Sequence, residues 1–550
     1  MTSPFVFALA QLNPTVGALS KNMTKLEEAY EKACVGQADL MVTAEMVVTG
    51  YPLEDLVLKP AFMDDVERHV DALVRKTKGQ KSAILLGTPW VLEEQLFNAA
   101  LYIEDGAIKD VICKHHLPNY GVFDEERYFQ SSRATHVLTV KGHKIGAMIC
   151  EDMWFDTVAK DLKKQGASCL VVLNGSPYES DKPSMRYDLA KERCLENDLG
   201  LLYVNQVGGQ DELVFDGASF VMNAQGEREF LMAHWQEDLQ FITFDHKTGF
   251  SCPTSAIDSA GLEAIYQAMV LGLKDYVNKN GFKGVLLGLS GGIDSALSAA
   301  VAVDALGADC VRCVMMPSPY TSQDSLEDAQ TCADFLGVEY DTVSIKAAMS
   351  AYDEMLKPLF VGTSPDITEE NIQSRARGLL LMALSNKFGH MVLTTGNKSE
   401  MAVGYATIYG DMCGGYSVLK DVYKLTVFSL SEWRNHNKPI GALGPKGMVM
   451  PQNVITKPPS AELRENQKDE DSLPSYQVLD DILECLIEKE YSLDDVVACG
   501  HDVEVVRRIW KLLDRAEYKR RQAPPGVKIT SRAFGRDRRY PITNGYTSLI

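Results

Sequence analysis

The sequence predicts an α/β protein in two domains that divide near residue 250. Three observations carry this expectation. After Cys252-Pro253, apolar strand-like runs alternate with helix-patterned segments, as in a doubly wound parallel sheet. The segment LSGGIDSA, from Leu289, follows one of those runs, at the strand end where such sheets bind ligands. Before residue 250, short apolar runs dominate and helical patterns separate only some of them.

The 550 residues suffice for two to four domains, each with its own core. A hydrophobic content of 45% and a charged content of 24% are ordinary for a soluble globular protein. No apolar run approaches a membrane span. The opening MTSPFVFALAQLNP has no basic region and is broken by Asn13-Pro14, so it reads as a first strand rather than a signal peptide. A cytoplasmic protein is expected. The net charge of −20 argues against a general nucleic-acid binder. One stretch departs from that balance: Lys511 to Arg539 holds ten Lys/Arg against three Asp/Glu. It reads either as a solvated or subunit-contact surface or as a basic wall facing an anionic dinucleotide. Cys310-x-x-Cys313 lies in an apolar run without a matching Cys/His pair, so it reads as strand core rather than a zinc site.

In the first domain, FVFALAQL, LMVTAE, AILLGT, AALYIE, IGAMIC, CLVVLN, LLYVNQV and ASFVMN read as strands. Met23, Leu26, Tyr30 and Ala33 mark one face of an intervening helix. Glu45, Lys114 and Cys150 each close an apolar run. Strand ends of one sheet converge on a common face, so the three can meet, and their chemistry is coherent. Cys150 is a nucleophile that works as thiolate. Glu45 can take the thiol proton and return it to a leaving amine. Lys114 can stabilise a tetrahedral oxyanion. Asp152 and Trp154-Phe155 suggest a helix starting just after the cysteine, and His115-His116 read as loop packing.

The segments AEMVVTGYPLEDL, KHHLPNYGVFDEERYF and GAMICEDMWF resemble the three signature segments of the nitrilase family, over residues 1–250. The resemblance implies an α-β-β-α sandwich, an amide or nitrile substrate and a Glu45–Lys114–Cys150 triad. In the glutaminase branch, the positions that hold glutamine match Tyr120, Ser176 and Lys182. A second glutamate falls at Glu125, with Glu126 adjacent as the alternative. The loop NGSPYESDK would receive the amino-acid end of the substrate.

The second domain opens with a long amphipathic helix carrying Leu262, Ile265, Tyr266, Met269, Val270 and Leu273. GVLLGLS, SALSAAVAV, CVRCVMM, SLEDAQTCADFL, YDTVSI, NIQSRARGLLLMAL and MVLTTG then alternate strand with helix. Strand, Ser-Gly-Gly and helix N-terminus together make a phosphate cradle, since glycines bring backbone N–H groups close to an anion. No Gly-Lys-Ser/Thr follows, so it is not a Walker A loop. Asp294 suggests a metal ion between protein and phosphates. Residues 435–475 lack periodicity and read as a lid over the nucleotide.

The Ser-Gly-Gly-x-Asp-Ser order resembles the pyrophosphatase loop of ATP-dependent adenylating enzymes. MPSPYTSQDS, EENIQSRARG, LTTGNKSEMAVGYATIYGD and KRRQAPPG extend the resemblance, with the nitrilase-like half, to the two-domain family of glutamine-dependent NAD+ synthetases. The resemblance spans nearly the whole chain. It implies a Rossmann-like adenine-nucleotide domain over 251–550 and amidation of deamido-NAD+ through an adenylate, with glutamine as nitrogen source. It places ATP on Leu289, Ser290, Gly291, Gly292, Ile293, Asp294, Ser295, Ala296 and Thr395. Deamido-NAD+ would meet Asn371, Glu400 and Lys519, and Mg2+ would be held by Asp294 and Glu400. A homo-oligomer is also implied, although no residue pattern shows it. Asn371 and Arg375, four apart on one helix, are explained nearly as well by surface pairing. Two other enzymes remain as alternatives: a different glutamine-fuelled adenylating ligase, and an amidohydrolase with a nucleotide-sensing half.

Overall fold

The computed structural model describes residues 4–465 and 467–546. The chain forms two compact units, Met1–Ser259 and Ala260–Ile550.

In the first unit the strands are β1 (Phe5–Gln11), β2 (Leu40–Thr43), β3 (Ala83–Leu92), β4 (Gln95–Glu104), β5 (Ala107–Cys113), β6 (Leu138–Val140), β7 (His143–Ile149) and β8 (Cys169–Asn174). They continue as β9 (Leu201–Asn205), β10 (Val207–Gln210), β11 (Leu213–Asp216), β12 (Phe220–Met222), β13 (Arg228–Leu231), β14 (Asp238–Asp245) and β15 (Gly249–Ser251). Helices α1 (Leu19–Val35), α2 (Pro60–Lys76), α3 (Asp156–Lys164) and α4 (Lys182–Asn197) lie between them. One sheet runs β15-β14-β1-β2-β3-β4-β5 and the other β13-β12-β9-β8-β7-β6, while β10 and β11 form a separate hairpin.

The two larger sheets pack face to face, and alternation along each strand explains why. Phe5, Phe7 and Leu9 of β1 share a core with Leu40, Val42, Ile145, Val171 and Val204. The intervening Ala8 and Ala10 pack instead with Met23, Leu26, Val66 and Val70 of α1 and α2. Met148, Leu170 and Val172 meet Val158, Leu162 and Ala190 of α3 and α4 on the opposite side. Both faces of each sheet are therefore covered, which is why the central strands read as unbroken apolar runs. The result is an α-β-β-α sandwich.

The second unit carries β16 (Val285–Gly288), β17 (Val311–Met315), β18 (Glu339–Thr342), β19 (Met391–Thr394) and β20 (Tyr416–Ser417) in the order β18-β17-β16-β19-β20. All its pairings are parallel. Its helices are α5 (Gly261–Lys279), α6 (Ile293–Leu306), α7 (Gln323–Leu336), α8 (Lys346–Leu356), α9 (Ile367–Phe388), α10 (Lys398–Val403), α11 (Lys424–His436) and α12 (Gln452–Thr456). They are followed by α13 (Tyr476–Ile487), α14 (Leu493–Ala498), α15 (Val503–Arg515) and α16 (Glu517–Arg520). The chain winds outward from β16 to β18, then returns to β19 on the other side. The order therefore reverses between β16 and β19, where open α/β sheets leave a ligand crevice. No described helix is long and apolar enough to cross a membrane.

One local expectation is revised, and two are made concrete. Cys313 is buried in β17, but Cys310 lies in the turn before it, a one-turn helix spanning Ala308–Cys310. Within the basic stretch the buried cations pair with acids of the same stretch, while Lys519 lines the cavity described below. Arg520 and Arg538 bond Glu517, and Lys528 bonds Asp537. The aperiodic segment 435–475 holds α12 and a turn at Asp469–Asp471. Its first part is pinned from below: the fully buried Arg434 donates to the Asn437, Pro445 and Gly447 carbonyls and pairs bidentately with Asp304. Asn435 likewise accepts from the Val449 and Met450 amides. Such polar anchoring leaves no hydrophobic period to read. Asn466 of this segment lies outside the described residues.

Candidate active sites

In the first unit, Glu45 follows β2, Lys114 follows β5 and Cys150 follows β7. The three come from both sheets, not from one as the run-end argument supposes. In a face-to-face sandwich, the ends of like-directed strands from both layers open on one rim. The link is direct: the Gly175 amide, just after β8, donates to Glu45 Oε2 at 2.8 Å. Lys114 Nζ bonds Glu45 Oε1 at 2.8 Å and Glu125 Oε2 at 2.9 Å, with all three side chains at most 3% exposed. Tyr51 donates to Glu125 Oε1, and Asn98 donates to Glu45 Oε1. Glu126 is exposed, so Glu125 is the acid that belongs to this cluster.

Cys150 starts a one-turn helix, Cys150–Met153, with φ of +45°. A side chain is held in that left-handed region only when its surroundings fix it. Asp152 supplies part of the fixing. Its carboxylate accepts from the Ile149, His115 and His116 amides, tying the cysteine turn to the segment that carries Lys114. His115 and His116 pack edge to face, and His116 also lies against Phe155.

The electrostatics follow from burial. Burial opposes the Lys114 ammonium, but Glu125, Glu45 and Cys150 outweigh it and raise its pKa well above the ordinary lysine value. Burial, reinforced by Glu45 and opposed by Lys114, pushes the Cys150 thiol well above the ordinary cysteine value. At neutral pH the resting group is thus the protonated thiol, and the thiolate fraction grows as pH rises. Inactivation by iodoacetamide is expected to accelerate about tenfold per unit between pH 6 and 9, following that fraction. A rate flat across this range would contradict the assignment.

The predicted glutamine residues surround this cluster. Tyr120 donates to both carboxylate oxygens of Glu151, at 3.0 and 3.1 Å, beside Cys150. Ser176 is buried in the loop after β8, and its amide donates to Asn205. Lys182 opens α4 with its ammonium 5.2 Å from the Phe123 ring centre. Sequence reasoning missed the residue that shapes this loop. Arg186, 3% exposed, sends Nε to Ser176 Oγ, Nη2 to the Ser176 and Pro177 carbonyls, and Nη1 to both oxygens of Asp216. Its signal is a second cation one turn after Lys182, on the inward face of α4. Asn98 is visible as the polar residue inside the apolar run of β4.

In the second unit a cavity of about 490 Å³ opens between the ends of β16 and β19. Leu289, Ser290, Gly292, Ile293, Asp294 and Ser295 line one side, and Thr395 and Glu400 another. Asn371 from α9 and Lys519 from α16 complete it. Gly291 and Ala296 serve the loop from behind. Gly291 has φ of +79°, and a Cβ there would lie 2.3 Å from the Ser325 carbonyl oxygen. Only glycine allows that approach. Ala296 is fully buried in α6. Asn371 accepts from Thr407, while Arg375 instead donates to the Ile408 carbonyl. Lys519 donates to the Gly404 and Ala406 carbonyls.

Asp294 and Glu400 converge on the ammonium of Lys424, a residue no motif pointed to. Asn397 caps α10 through the Glu400 amide and also donates to Asp294 Oδ1 at 2.8 Å. Burial raises the Glu400 carboxyl, against the pull of Lys424. Residues 457–463, Gln467 and Asp469 line this cavity. Glu462 accepts from Ser322 Oγ and Ser325 Oγ, and the Leu463 carbonyl accepts from Gln373.

Comparison with known proteins adds to this geometry. The family model for carbon-nitrogen hydrolase matches residues 7–250, and that for NAD synthase matches residues 265–523. A glutamine-dependent NAD(+) synthetase of Rhodobacter capsulatus is 48% identical over 547 residues, 99% of each chain. One from Acinetobacter baylyi is 46% identical, across 98% of this chain and 99% of its own. The solved structure of a glutamine-dependent NAD+ synthetase from Acinetobacter baumannii in complex with ADP is 45% identical, covers 99% of both chains and superposes with a TM-score of 0.79.

Proposed function

The chain belongs to the glutamine-dependent NAD+ synthetases, and from that membership we propose that Cys150 releases ammonia from glutamine for a synthetase site built around Asp294. The enzyme is a ligase that amidates deamido-NAD+ to NAD+ with ATP and glutamine. The observation that carries the division of labour is the buried Glu45–Lys114–Glu125 cluster beside Cys150, on the same chain as a switch-point cavity holding Asp294 and Glu400.

In the glutaminase half, Glu45 takes the thiol proton as Cys150 Sγ attacks the carboxamide carbon. Lys114 stabilises the resulting oxyanion, and Glu45 delivers the proton to the departing ammonia. Water activated by Glu45 then cleaves the thioester to glutamate. Glu125 keeps Lys114 charged and in place. Tyr120, Ser176 and Lys182 hold the amino-acid end of glutamine, with Glu151 facing its ammonium. Arg186→Lys keeps the ion pair with Asp216 but loses the fork that grips the Ser176 and Pro177 carbonyls. It is expected to raise KM for glutamine about tenfold, the effect of losing roughly 1.4 kcal/mol of substrate positioning, while ammonium-supported synthesis is unchanged. An equal loss with both nitrogen sources would mean that Arg186 serves folding alone.

In the synthetase half, the loop from Leu289 to Ala296 and Thr395 hold ATP, and Asn371, Glu400 and Lys519 hold deamido-NAD+. The nicotinate carboxylate attacks the α-phosphate, pyrophosphate leaves, and ammonia displaces AMP from the adenylate. Asp294 and Glu400 suit Mg2+, a hard ion commonly held by one or two carboxylates with phosphates filling its other positions. Held by Asp294 and Glu400, such an ion would supply positive charge to offset the negative charge of the leaving pyrophosphate. The lid over the nucleotide lies within 435–475, where Lys457, Glu462, Leu463, Gln467 and Asp469 line the cavity. A homo-oligomer is part of the same reading, supported by exposed Leu379 and Tyr409 beside an apolar hollow on α9. So is a cytoplasmic location. Incubation with ATP, Mg2+, deamido-NAD+ and glutamine is expected to yield NAD+ and AMP in equal amounts. No AMP under any condition would overturn the ligase reading.

A further inference from the structure

Lys424 opens α11 with its side chain 2% exposed and lines the cavity together with Asp294 and Glu400. Its ammonium bonds Asp294 Oδ2 and lies 3.3 Å from Glu400 Oε1. The Tyr476 ring closes the other side, with its centre 5.2 Å away. The backbone beneath is fixed as firmly. The Lys424 amide donates to Ser399 Oγ at 2.9 Å, Ser399 donates to Asp480, and Asp480 also accepts from the Leu425 amide at 2.9 Å. The carboxylate pair is equally constrained, since Asn397 grips Asp294 and the Glu400 amide together.

We propose that Lys424 is the resident counter-ion of the Asp294–Glu400 pair, which a divalent cation must displace, so that metal enters together with a nucleoside triphosphate rather than alone. The inference rests on the reading of Asp294 and Glu400 as the metal-holding pair. A cation bridging both carboxylates needs the space the ammonium occupies, and two positive centres at that separation repel strongly. The flexible stem of lysine lets the ammonium turn away once another anion is within reach, and the triphosphate is that anion. Asp469 stands nearby with one oxygen engaged by the Tyr476 hydroxyl, so the surroundings stay attractive to cations once Lys424 is gone. Lys424 is in this sense a positioning residue: it keeps both carboxylates oriented and makes metal uptake depend on nucleotide.

The test is titration of the full-length protein with Mn2+, followed by electron paramagnetic resonance, with and without α,β-methylene-ATP. The wild type is expected to bind Mn2+ at least tenfold more tightly with the analogue than without it. Lys424→Met is expected to gain at least tenfold in Mn2+ affinity without nucleotide, while Lys424→Arg stays weak. Thermal melting checks that each variant is folded. Equal Mn2+ affinity of the wild type with and without the analogue would overturn the proposal even if no variant folds. So would a folded Lys424→Met that binds free Mn2+ no better than the wild type. Absence of Mn2+ binding from the wild type with the analogue and from Lys424→Met alike would instead bring down the metal reading itself.

Discussion

Cys150→Ala is expected to lower glutamine-supported NAD+ formation by about a thousandfold or more, the scale on which a covalent nucleophile's loss is felt. Ammonium-supported formation should persist at the wild-type rate. The asymmetry follows from where the sulfur stands. Cys150 is buried in the first unit beside Glu45 and Lys114, and the residues that line the cavity around Asp294 all belong to the second unit. Alanine keeps the Cβ that the +45° backbone already accommodates, and Asp152 still holds the turn through the Ile149, His115 and His116 amides. Parallel assays with glutamine and with ammonium chloride separate the outcomes. Loss of both activities would mean that Cys150 is structural, or that the synthetase site needs an intact glutaminase centre.

Asp294→Asn is expected to reduce NAD+ synthesis by about a hundredfold to a thousandfold with either nitrogen source, the usual cost of losing one oriented charge at a phosphoryl-transfer site. Asparagine is nearly isosteric and can still accept from Asn397, so the protein should fold. What disappears is one of the two negative charges that Lys424 now shares. Adenylation is the step affected, so AMP and pyrophosphate release should fall in parallel with NAD+. Thiol alkylation of Cys150 should be unchanged, which marks the effect as confined to the second unit. Wild-type AMP release from this variant would remove Asp294 from the ATP site.

The apolar runs and the Ser-Gly-Gly turn were legible because strand and cradle are local patterns. Phe5, Phe7 and Leu9 against Ala8 and Ala10 repeat with the period of the strand, and Gly291 faces a backbone only glycine can approach. Glu45, Lys114 and Cys150 were visible as polar groups ending apolar runs, though their descent from two sheets was not. Buried charges on helices were hidden. Arg186, Lys424 and Arg434 look like solvated surface until their acids arrive from 30 or 130 residues away. The anchoring of residues 437–450 is closer in sequence, from Arg434 and Asn435, but it is polar, so no hydrophobic period marks it. Helix-wide burial of a cation is a tertiary outcome, and no window of neighbouring residues contains its cause.

The pairing of β1 with β14 has a consequence for how the protein is made. Phe5 stands opposite Phe244 and Gln11 opposite Asp238, so one edge of the first strand waits for a partner translated more than two hundred residues later. At ribosomal speeds of about 5–20 residues per second, that edge stays open for roughly ten to fifty seconds. During this interval Phe5, Phe7 and Leu9 lie on a strand whose sheet is incomplete. The first strand of this half therefore completes its pairing only when the last part of its own unit has been made.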